Sequence, residues 1–217
     1  MLAAGAVRVE GAVTEGGVRY YNSILMINDR GEIVDGYDKV HLVPFGEYLP
    51  FEAILSRIGL RQIVQAFPSF TAGTQRRTLD AGEGVRLLPF ICYEIIFPGE
   101  NGAASDSDLI INVTNDAWYG DTPGPYQHFR QAQIRSVMLG LPMVRAANNG
   151  ISGLIDPYGR IIDAFGLDAV GALDAEISLA GALPRDFRSI FWGPLIIFAG
   201  LVLLIVSVGL ASRRRMN

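Results

Sequence analysis

The sequence predicts an α/β fold, a mixed sheet covered by helices, followed by one apolar span. Three observations predict it. Extended segments joined by turn residues stand beside two nearly continuous apolar runs, 85–92 and 109–113, the pattern of strands buried on both faces. Residues 126–139 read as a helix that stops at Gly140, a natural left-handed C-terminal position. Residues 190–211, IFWGPLIIFAGLVLLIVSVGLA, contain no ionisable side chain.

The elements follow in order. Residues 20–27 are rich in aromatic and β-branched side chains, Asn28-Asp29-Arg30-Gly31 is a turn signal, and 32–39 resume an extended pattern, so 18–41 form a hairpin. Pro44, Gly46 and Pro50 make HLVPFGEYLP an irregular loop. Apolar residues at helical spacing over 51–67 predict one or two short helices broken near Gly59. Residues 79–83 lead through Gly84 into the first buried run, and TNDAWYGDTPGP is a long loop after the second. Strands over 143–147 and 151–155 flank Asn148-Asn149-Gly150, and Asp156-Pro157-Tyr158-Gly159 turns the chain into 160–165. No internal repeat appears.

The chain has 217 residues, enough for one domain with a full core. Lys and Arg number 18 against 22 Asp and Glu, a net charge of -4. No basic patch interleaves with aromatics, which argues against nucleic acid as a partner. Half the residues are hydrophobic, and the excess comes from 190–211. As a helix these 22 residues would reach about 33 Å, enough for a bilayer core of about 30 Å. Trp192 lies near one end and Arg213, Arg214 and Arg215 follow the other, so we read a transmembrane helix rather than a buried one. The expected organisation is a catalytic domain over 1–184, a linker over 185–189, the span over 190–211 and a basic cytoplasmic tail over 212–217. That orientation exports the domain, yet MLAAGAVRVEGAVTEGG lacks a signal peptide's apolar core. The expectation is that an upstream, membrane-inserted part precedes this sequence.

Chemistry concentrates in two stretches, YDKVHLVPFGEYLP and LLPFICYEIIFP. Cys92 is the only cysteine, which excludes an internal disulfide and a Cys-rich metal site. His41 and His128 lie far apart without ligand spacing, so neither metal nor other cofactor is expected. A cysteine in an apolar strand is commonly inert core. Here Tyr93 and Glu94 follow at once, and a carboxylate two residues from a thiol is rarely buried without a purpose. A thiolate needs a cation or base nearby. Lys39 could be a solvated charge at a strand end, but Tyr37, Val40, Leu42 and Val43 draw it inward, and Glu47 on the same loop can neutralise it. Cysteine nucleophile, lysine stabiliser of an oxyanion, with the Tyr93 backbone N–H beside it, and a supporting glutamate form a set suited to acyl transfer.

YNSILMINDRGEIVDGYDKVHLVPFGEYLP, ICYEIIFP, NVTNDAWYGDTPGPYQHFRQAQIRSV and RAANNGISGLIDPYGRI, in that order, resemble the nitrilase (carbon-nitrogen hydrolase) superfamily, and within it the apolipoprotein N-acyltransferases. The resemblance implies an αββα sandwich, incomplete here at its N-terminus, on the periplasmic side of the bacterial inner membrane. It implies a Glu-Lys-Cys triad in which Cys92 is the nucleophile and Lys39 the lysine. Glu47 matches the additional glutamate of the PFGE loop, Tyr93 and Glu94 the pair after the cysteine, and Asn22 an asparagine near the site. Trp118 and Tyr119 match the loop that shapes the acyl pocket. The triad glutamate belongs in a Pro-Glu motif upstream of YNS. Glu10 and Glu15 lie in VRVEGAVTEGG, which has neither the proline nor an apolar strand before it, so the expectation is a C-terminal fragment without that base. The implied partners are a phospholipid acyl donor, a diacylated apolipoprotein acceptor and the membrane. Two other readings stay open: a membrane-tethered amidase that uses water, and a catalytically incomplete domain that only binds lipid or protein.

Overall fold

The computed structural model describes residues 1–11, 17–50, 69–97, 103–179, 196–203 and 205. The chain divides into two compact units, Met1–Leu183 and Pro184–Asn217. In the second unit the described residues, 196–203 and 205, are helical. Most of the expected span over 190–211 lies outside the described residues, as do the helices expected within 51–67. Among the described residues no helix is long and apolar enough to cross a membrane.

The first unit is built on two sheets. One is antiparallel, in the order β1 (Leu2–Glu10), β2 (Arg19–Ile27), β3 (Ile33–Asp38). The β2–β3 hairpin turns where Asn28 Oδ1 accepts from the Arg30 and Glu32 N–H groups, and Gly31 takes the positive φ that the turn requires. β1 corrects the sequence reading, which saw no strand in the N-terminal segment. Its small Ala and Gly residues carry weak alternation, but nine residues pair in unbroken register with β2. The edge of β2 supplies the hydrogen bonds, so propensity is overridden by context.

The second sheet has six strands in the order β4 (Leu79–Asp80), β5 (Arg86–Ile91), β6 (Leu109–Asn115), β7 (Met143–Asn148), β8 (Gly153–Ile155), β9 (Ile161–Ala164). β5, β6 and β7 run parallel and the other neighbours antiparallel. β5 is buried on both faces after Arg86, as its composition predicts. β6 is only half buried, because Leu109, Ile111 and Val113 face a partly covered side. Ile24, Met26 and Tyr37 of the first sheet pack with Leu79, Leu87 and Ile91 of the second, so the sheets share one core. Helix α1 (Gly124–Leu139) ends at Gly140 with φ 61°, whose N–H donates to the Ser136 and Val137 carbonyls. Pro125, His128, Phe129, Ala132, Arg135, Ser136 and Leu139 give it a buried stripe.

The parallel order sets the place of chemistry. Cys92, Asp116 and Asn149 directly follow the carboxyl ends of β5, β6 and β7. That is the edge at which open α/β sheets place their reactive groups.

Candidate active site

At the end of β5 the chain turns into one 3₁₀ turn, Cys92–Ile96. Cys92 adopts φ 51°, a left-handed conformation that costs an L-residue about 1–2 kcal/mol. Its thiol is free and its side chain half-buried. A strained backbone at a potential nucleophile persists only when its surroundings hold it.

Glu94 is the first holder. It is fully buried, and both of its oxygens accept hydrogen bonds. Oε2 accepts from the Ile91 N–H at 2.8 Å, just before the cysteine. Oε1 accepts from the Tyr37 hydroxyl at 2.8 Å and from the Val40 and His41 N–H groups at 2.9 and 3.1 Å, and Arg76 lies 3.3 Å from it. Burial, reinforced by the Glu94 charge, raises the Tyr37 hydroxyl well above the phenolic range, so it stays a donor. Arg76 also donates to the Pro89 carbonyl at 2.6 Å and stacks over Phe90. One carboxylate thus ties the strand end carrying Lys39 to the turn carrying Cys92.

Lys39 is 1% exposed. Its ammonium donates to Glu47 Oε2 at 2.7 Å, which offsets the cost of burying the charge. Glu47 also accepts from Asn22 Nδ2 at 2.9 Å and from the Val43 N–H at 2.8 Å. The loop that sequence reading placed here is therefore wound around its own glutamate. Lys39, Glu47 and Asn22 are brought together as one cluster, and Glu94 joins that segment to Cys92 and Tyr93. Glu47 and Glu94 are both committed to hydrogen bonds within the site.

On the other side of Cys92 stands a group of residues that sequence reading did not single out. His128 Nε2 lies 3.2 Å from the Cys92 carbonyl, and Nδ1 lies 2.8 Å from Asp116 Oδ1. Arg145 donates to Asp116 Oδ2 at 2.8 Å and to Asn112 Oδ1, while Asn112 donates to the Phe90 carbonyl at 3.1 Å. Burial alone would raise the Asp116 carboxyl, but the His128 contact and the Arg145 charge outweigh it and hold it below the usual range. The signal available in the sequence was Arg145 within an otherwise apolar strand segment, Met143 to Ala147, where a charge demands a partner.

Tyr119 is partly covered, with its ring 5.8 Å from that of His128. Its hydroxyl is pushed up to about 12, by burial first and by the charge of Cys92 next, which puts it in the thiol's electrostatic field. Trp118 is 56% exposed and Tyr93 is 40% exposed. Tyr93 lies edge-on to Phe97, whose ring stacks on His41.

The carbon-nitrogen hydrolase family profile matches residues 1–183. An apolipoprotein N-acyltransferase of Brucella melitensis is 54% identical over the whole chain, and one of Sinorhizobium fredii is 50% identical, also over the whole chain. The chain covers 41% and 40% of those relatives, so it spans about two fifths of their length. Among solved structures, Saccharomyces cerevisiae Nit3, a member of branch 10 of the nitrilase superfamily, superposes with a TM-score of 0.52 over 75% of this chain and 55% of its own, at 20% identity. That likeness concerns the fold. With two sheets sharing a core, a lone thiol at the end of a parallel strand and a profile match across the first unit, the chain belongs to the carbon-nitrogen hydrolase family.

Proposed function

We propose that the protein is a phospholipid:apolipoprotein N-acyltransferase in which Cys92 carries the acyl group. The observation that supports this most is the pairing of a strained, half-buried thiol with a buried Lys39–Glu47 ion pair on a segment that Glu94 staples to it. The identity of the chain to relatives named for that activity supports the same reading.

In this reading the Cys92 thiolate attacks the sn-1 ester carbonyl of a phospholipid. Lys39 and the Tyr93 N–H hold the oxyanion. The carbon–oxygen bond to glycerol breaks, the lysophospholipid leaves as the protonated alcohol, and a thioester remains on sulfur. The α-amino group of an S-diacylglyceryl cysteine then attacks the thioester, loses a proton as the amide forms, and releases the thiolate. The order is ping-pong. Glu47 holds the ammonium in place. In this reading the general base is a glutamate upstream of the YNS stretch. Trp118 and Tyr119 border the acyl chain, and residues 190–211 hold the catalytic unit at the periplasmic face of the inner membrane, where both lipid substrates reside.

The test is incubation of the full-length protein with a phospholipid and a diacylated lipopeptide, read by mass. Triacylated product with an equal amount of lysophospholipid is expected. Free fatty acid without triacylated product would instead mark a hydrolase and overturn the proposal. A covalent acyl adduct that survives Cys92→Ala would remove Cys92 from its role.

A further inference from the structure

We infer that His128, braced by Asp116 and Arg145, is a positioning residue that fixes the backbone of the nucleophile; this rests on the reading of Cys92 as the acyl carrier. Cys92 is held from two sides. Glu94 takes the N–H of the preceding residue, Ile91, while His128 Nε2 faces the carbonyl of Cys92 itself. A carbonyl only accepts, so this contact is a hydrogen bond when Nε2 carries hydrogen, while Nδ1 faces the Asp116 carboxylate. Rotation of that peptide would alter the left-handed backbone at Cys92 that sets where the thiol points.

The brace is rigid for three reasons. Asp116, His128 and Arg145 are each buried, and the Thr114 hydroxyl also donates to Asp116 Oδ1 at 2.9 Å. Phe90, Asn112 and Arg145 are register partners across β5, β6 and β7, so the guanidinium is anchored in the sheet that ends at Cys92. Seven positions along α1 from His128, Arg135 Nε donates to the Ile95 carbonyl at 2.9 Å. Two turns of one helix face therefore grip both ends of the Cys92–Ile96 turn.

The test uses the full-length protein, in which Cys92→Ala assigns any adduct to position 92. Acylation of Cys92 by phospholipid in one turnover is followed by intact mass. The amplitude counts folded molecules and the rate constant reads geometry. His128→Asn reaches Asp116 but not the Cys92 carbonyl, whereas His128→Gln places an amide N–H near the position of Nε2. The expected result for His128→Asn is an acylation rate about 10- to 100-fold lower with KM for phospholipid unchanged. His128→Gln is expected to regain most of that loss. Parental acylation by His128→Asn, or a His128→Gln variant no faster than His128→Asn, would overturn the inference. Where thermal unfolding shows that His128→Asn does not fold at the assay temperature, the rate constants are compared at a lower temperature at which it does, with the same two outcomes. Cys92→Ala run alongside separates the cases, since an adduct there refutes the nucleophile itself.

Discussion

Replacing Glu94 by glutamine keeps shape and volume while removing one charge and one acceptor. The amide oxygen can serve Tyr37, Val40 and His41 in place of Oε1, but the NH2 group then faces the Ile91 N–H, donor against donor. An unsatisfied buried donor costs about 1–3 kcal/mol. Arg76, with its side chain 4% exposed, keeps its bond to the Pro89 carbonyl at 2.6 Å, so the orphaned Ile91 N–H dominates. The expectation is therefore about 1–3 kcal/mol. Tyr37→Phe removes one donor of several and should cost only about 0.5–1.5 kcal/mol. Equilibrium unfolding in guanidinium chloride measures both. A Glu94→Gln variant within about 1 kcal/mol of the parent, or one no worse than Tyr37→Phe, would refute the view that this carboxylate staples the site.

Gly150→Ala should destabilise by about 1–3 kcal/mol, because its Cβ would stand 2.2 Å from Asp116 Oδ2, which Arg145 keeps from swinging aside; Gly166→Ala, with open space around it, should stay within about 0.5 kcal/mol. Thermal unfolding of the pair checks this. The depressed Asp116 carboxyl contributes stability that is present above its unfolded pKa of about 3.9 and lost as pH falls through the lower folded value. Asp116→Asn should therefore weaken the acid dependence of the unfolding midpoint below about pH 4, and at neutral pH should cost about 3–5 kcal/mol by leaving the buried Arg145 charge uncompensated.

What the sequence disclosed was what local chemistry writes down. The Asn28–Gly31 turn, the stop at Gly140 and the apolar run of β5 each follow from neighbours a few positions apart. The inward pull on Lys39 and its pairing with Glu47 were readable because the partners are eight residues apart. Glu94 stood out as a carboxylate in an apolar run, but its partners did not, since Tyr37 lies 57 positions away and only sheet packing brings it close. The same holds for His128, which meets Cys92 across 36 positions, and for Arg145, 29 from Asp116. β1 was missed for a related reason: a strand of small residues owes its existence to the edge it joins.

The φ of 51° at Cys92 bears on why sulfur stands there at all. Glycine would relieve about 1–2 kcal/mol of backbone strain while giving back about 0.5–1 kcal/mol in chain entropy. The residue most at ease at this bend is thus one with no side chain. The Cys92 side chain also packs against the shared core, so Cys92→Gly exchanges that contact for relief of backbone strain and should fold about as well as the parent while lacking the proposed nucleophile. Selection for a sound structure and selection for chemistry pull apart at this one residue.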